Sequence, residues 1–204
     1  MELDEALSQI SQIRRTMANA SVFRGYRSAT AAFSALVAVA ASAAQALWVE
    51  HPHWDTRGYL TVWLAAALIC VGAAAAEMIS RCVRSQSALQ KEMALAAAEQ
   101  FIPSLVSGAL LTFVMVKYAY AEIWLLPGLW AILFSLGVFA SRRVLPKPIA
   151  IVGGYYLLAG LLCIAITDNR SAFSPWTMGL IFAPGQLLAA AILWWTLERK
   201  REAT

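Results

Sequence analysis

Six stretches of this chain contain no Asp, Glu, Lys or Arg: residues 28–49, 58–76, 100–116, 123–141, 148–167 and 171–197. A helix needs about 20 apolar residues to cross a hydrocarbon core roughly 30 Å thick. A backbone placed in hydrocarbon must satisfy its own hydrogen bonds, so each run is expected to be helical. Strands of a membrane barrel would alternate polar and apolar residues over about ten positions, and these runs do not alternate. Composition agrees: 60% of residues are hydrophobic and 14% charged, against about 25% charged in an average soluble domain. The expected fold is all-α: an integral membrane bundle of six transmembrane helices, at approximately 28–49, 58–79, 101–120, 123–141, 148–166 and 176–197. A 27-residue segment precedes it, and a tail over 198–204 follows.

The basic residues set an orientation. One side of such a bundle carries Arg14, Arg15, Arg24, Arg27, Arg81, Arg84, Lys91, Arg142, Arg143, Lys147, Arg199, Lys200 and Arg201; the other carries Arg57, Lys117 and Arg170. Thirteen against three is a strong positive-inside asymmetry, so both termini are expected in the cytoplasm, with the chain in the plasma membrane (the inner membrane, if bacterial). The net charge of +4 is spread over four short segments rather than gathered on one soluble face, which argues against nucleic-acid binding. Trp48, Trp54, Trp124 and Trp176, with Tyr118 and Tyr120, fall near one set of helix ends, and Trp194 and Trp195 near the other, as interfacial aromatics do.

The first run is preceded by Glu2, Asp4 and Glu5, unlike the short basic start of a signal peptide. Within the first 20 residues, Leu3, Leu7, Ile10, Ile13 and Met17 share one helical face. This amphipathic helix is expected to lie on the inner leaflet, with docking of a protein partner or self-association as the sharper alternative. Segment 77–100 lacks Gly and Pro and is rich in helix formers, so helices 2 and 3 are expected to extend beyond the bilayer, with a tight turn near 84–87. Small residues are spaced by four in helix 1 (Ser34, Ala38, Ser42, Ala46) and helix 2 (Gly72, Ala76), and by seven in helix 5 (Gly153, Gly160). They predict close helix contacts, with helices 1, 2 and 5 well inside the bundle.

Chemistry-bearing residues are few. His51 and His53, flanked by Glu50 and Asp55, offer metal ligands from one short loop, too few converging groups for a tight zinc or copper site. A bis-histidine haem needs histidines inside the bundle, and neither histidine is. Cys70, Cys82 and Cys163 lie at different depths, which discourages a disulfide. No ionisable group lies deep in a span, whereas ion-coupled transporters place such groups there. The position that stands out is Pro184-Gly185-Gln186, about ten residues from each end of helix 6. Proline removes a backbone hydrogen bond, and a broken helix at the midplane is one way to build a transport site. Gln45, Ser107, Ser104 and Thr112 are candidate companions, or interhelical hydrogen bonders. These residues predict a non-enzymatic membrane module, without cofactor or metal, that binds a partner protein, a lipid or an apolar ligand. The alternative is a small transporter or channel for a neutral or hydrophobic solute using the helix 6 break.

Overall fold

The computed structural model describes residues 28–49, 55–84, 88–143, 145–168 and 171–199. Among them there is no strand. Six α-helices run in order: α1 (Ser28–Trp48), α2 (Thr56–Arg84), α3 (Ala88–Tyr118), α4 (Leu126–Ala140), α5 (Ile149–Ile166) and α6 (Pro175–Leu193). A 3₁₀ segment, Tyr120–Leu125, leads into α4, and α6 continues into a π turn, Trp194–Glu198. Six helical segments are long and apolar enough to cross a membrane, and their lipid-side requirement is visible on the surface: Leu36, Leu47, Leu110, Leu158 and Leu180 are all exposed. A surface of this kind is stable only against hydrocarbon or another apolar partner. The N-terminal amphipathic segment and the His51–His53 loop lie outside the described residues.

The helices follow one another around a ring in the order α2, α1, α6, α5, α4, α3. The closest pairs are α1 with α6 and α4 with α5. The α1–α6 contact is built from small side chains. Ser34, Ala38 and Ser42 are buried, and a Cβ on Gly179 of α6 would collide with the Ser42 hydroxyl. That hydroxyl donates to the carbonyl of Ala38 at 3.1 Å, so the stripe buries no unpaired donor. The α4–α5 contact is tighter still. A Cβ on Gly160 would stand 2.7 Å from the Gly128 carbonyl oxygen, and a Cβ on Gly128 equally 2.7 Å from that of Gly160. Ser135 adds a hydrogen bond to the Gly153 carbonyl at 2.7 Å.

Helix α2 departs from the sequence expectation. Gly72 has nothing within 4 Å of an added Cβ, and Ala76 is exposed, so this pair packs against no other helix. Only 11% of the apolar window of α2 is buried, as for α3, against 44% in α1, α4 and α6. Helices α2 and α3 are therefore the periphery. Spacing alone could not reveal this, because a small-residue face opposite no partner reads the same as one that is packed. Asp55 caps α2: its Oδ1 accepts from the backbone N–H of Arg57 at 3.1 Å and of Gly58 at 3.0 Å, which satisfies two of the open donors of a helix start.

Candidate ligand cavity

Pro184 deprives the Leu180 carbonyl of its intrahelical donor, because proline has no N–H. The helix nevertheless runs without interruption from Pro175 to Leu193. The compensation comes from α5. The Tyr155 hydroxyl is shared between the carbonyls of Leu180 and Ile181, each at 3.1 Å, and the Tyr156 hydroxyl donates to that of Phe182 at 3.2 Å. Gly185 makes room for this: a Cβ there would lie 2.6 Å from the Tyr156 hydroxyl and 2.8 Å from the Tyr155 ring. Helix 6 is thus not broken as expected for a discontinuous transport helix. Pro184-Gly185 is a packing device read by two tyrosines. Tyr155→Phe is expected to cost about 1 kcal/mol of stability, and less in a Pro184→Ala background, where the restored N–H takes up the Leu180 carbonyl. A double-mutant cycle on unfolding midpoints would expose an additive result, which would contradict the compensation.

Gln186 faces the other way. Beside it lies a partly open cavity of about 450 Å³ between α1, α2, α3, α4 and α6. Gln186 is 8% exposed and lines this cavity. Among the described residues no group hydrogen-bonds to its amide. Leaving an amide unpaired in apolar surroundings costs a few kcal/mol.

The walls are aromatic and aliphatic. Phe101, Phe134 and Phe182 form one side, with Phe134 packed edge-on against Phe101 at 5.2 Å and against Phe182 at 5.6 Å between ring centroids. Trp63 and Trp130 form another, and their polar handles are already engaged. Trp63 Nε1 donates to Gln45 Oε1 at 2.8 Å, and Trp130 Nε1 to Thr112 Oγ1 at 2.9 Å. Thr112 in turn donates to the Gly108 carbonyl at 2.7 Å. Both indoles therefore present rings, not N–H groups, to the cavity. Cys70 also lines it, and neither Cys70 nor Cys163 is in a disulfide.

Of the sequence candidates, the structure brings Gln186, Ser104 and Thr112 to the cavity and separates the rest. Gln45 is fully buried and committed: its Nε2 donates to the Phe173 carbonyl at 2.7 Å while its Oε1 holds Trp63. It ties α1, α2 and the segment before α6 together and does not line the cavity. Ser107 is exposed and lies off the cavity lining, where Ser104, one turn earlier, takes its place. Pro184 is exposed on the outer side of α6. Among the described residues no group of three His, Cys, Asp or Glu is placed to hold a metal ion.

Sequence reasoning missed the five aromatic rings of the lining. A signal for two of them was present. Trp63 and Trp130 lie well inside their apolar runs, away from the interfacial belt, and a tryptophan at such depth needs an acceptor for its N–H. Comparison with protein families, curated proteins and solved structures gives no match to this chain.

Proposed function

We propose that this chain is a non-enzymatic integral membrane protein whose bundle binds an apolar molecule in the Gln186 cavity. The observation that carries this reading is a buried glutamine, Gln186, that lines this apolar cavity and has no side-chain hydrogen-bond partner among the described residues. The volume falls within the roughly 300–1,000 Å³ typical of small-molecule sites, and an apolar wall with a few placed polar groups is their usual character. Among the described residues no Asp, Glu, His, Lys or Arg lines the cavity, which supports a binding role over acid–base chemistry there.

Gly108 provides the test. It lines the cavity, and a Cβ there meets only Leu133, at 3.9 Å. Gly108→Leu should therefore fold as well as the parent, gaining helix propensity, while filling the ligand's space. Native mass spectrometry of protein released gently from membranes should show an adduct on the parent that is absent from Gly108→Leu. The same adduct at the same occupancy on both proteins would sink the binding reading.

The thirteen-to-three distribution of basic residues supports cytoplasmic termini. With the three native cysteines replaced by alanine, an impermeant thiol reagent on intact cells should label Glu122→Cys and spare Thr204→Cys. The reverse pattern would invert the orientation.

A further inference from the structure

We infer that the cavity's ligand is an uncharged amphiphile, with one head that both donates and accepts hydrogen bonds (a hydroxyl is the simplest) on an apolar body, and that it enters sideways from the bilayer between α2 and α3. This inference rests on the binding reading above and adds the ligand's class and route.

The head follows from an inventory of hydrogen-bonding capacity. The Trp63 and Trp130 N–H groups are spent on Gln45 and Thr112, the Thr112 hydroxyl donates to Gly108, and the Ser34 hydroxyl donates to the Thr30 carbonyl at 3.0 Å. The amide of Gln186 remains, together with the Ser104 hydroxyl and the weakly polar Cys70 thiol on the opposite walls, and of these the amide alone carries both strong donors and a carbonyl acceptor. A head that does both can satisfy both halves of it; an alkane satisfies neither. A charged head is disfavoured from the opposite direction. Among the described residues the lining offers no counter-ion, and an ion buried without one costs far more than a neutral polar group. Water alone is a poor occupant, because it needs two to four polar partners and apolar cavities stay dry.

The route follows from how loosely the ring closes. Among the described residues, α2 and α3 share the slightest contact of any neighbouring pair of helices. Residues from both that line the cavity are also on the outer surface: Leu68 is 73% exposed and Val106 50%. Lipid-facing and cavity-facing surfaces are therefore continuous there, and an amphiphile can pass from one to the other without crossing water.

Three probes with the same bromine-tipped eleven-carbon chain separate the possibilities: the alcohol, the carboxylate at alkaline pH, and the bromoalkane. Bromine quenches indole fluorescence at contact, and Trp63 and Trp130 line the cavity; quenching absent from Gly108→Leu is cavity quenching. For the full-length protein in nanodiscs the alcohol should bind about tenfold more tightly than the alkane, the gain expected of one well-placed hydrogen bond, and the carboxylate more weakly than the alcohol. Gln186→Met keeps the volume and should bring the alcohol down to the level of the alkane. Equal binding of all three, preference for the carboxylate, or an alcohol preference that survives in Gln186→Met would each overturn the ligand class. The comparison of probes on the parent protein decides this even if Gln186→Met fails to fold. Absence of any Gly108→Leu-sensitive quenching would instead overturn the binding reading beneath it.

Discussion

Gly160→Leu is expected to destabilise the protein by about 3 kcal/mol or more, above the usual range for overpacking. The reason is what the new side chain meets. Its Cβ alone would stand 2.7 Å from the Gly128 carbonyl oxygen and 3.1 Å from the Ile132 amide nitrogen, and neither backbone atom can swing aside. Relief requires α4 and α5 to separate, which would also pull Ser135 from the Gly153 carbonyl. Two neighbouring glycines calibrate the effect. A Cβ on Gly153 meets only the Phe139 ring, at 2.8 Å, and one on Gly154 meets nothing within 4 Å. Gly153→Ala should therefore cost about 1 kcal/mol, and Gly154→Ala should be neutral or stabilising by about 0.5–1 kcal/mol through helix propensity. Unfolding midpoints in a denaturing-detergent titration would rank the three. A Gly160→Leu protein as stable as its parent would mean that α4 and α5 do not meet at this point.

Gln45→Leu ranks second. The substitution removes the acceptor of the Trp63 N–H and the donor to the Phe173 carbonyl together. Each buried group left without a partner costs about 1–3 kcal/mol, whereas removing both members of a pair costs less. The single variant should lose about 3 kcal/mol, and adding Trp63→Phe should restore part of it. The double variant's midpoint is the decisive reading: a further loss, with no recovery, would mean that Gln45 does not hold Trp63.

Much of the fold was legible because hydrocarbon imposes rules that a sequence must obey visibly. Runs free of charge for about twenty residues have few other readings, and all six coincide with helices. The Ser34, Ala38 and Ser42 stripe and the Gly153, Gly160 pair both mark real contacts, since only small residues allow backbones to approach this closely. The Gly72, Ala76 pair marks none, because whether a partner stands opposite is a property of the whole ring and not of one helix. The site was half legible. Gln186 could be singled out because a midplane amide needs a partner. That Pro184 and Gly185 serve a different neighbour could not be read, since it depends on Tyr155 and Tyr156 of α5 facing those carbonyls. Gln45 illustrates the same limit: a buried amide is conspicuous in sequence, but its commitment to Trp63 and Phe173, 18 and 128 positions away, is set by the fold alone.

The central claim is that the space beside Gln186 is a binding site. An experimental density map of the protein in a lipidic phase tests it most directly. The account predicts elongated density between the Trp63–Trp130 and Phe101–Phe134–Phe182 walls, with one end within hydrogen-bonding distance of the Gln186 amide. A collapsed cavity in which another helix supplies that amide's partner would contradict it.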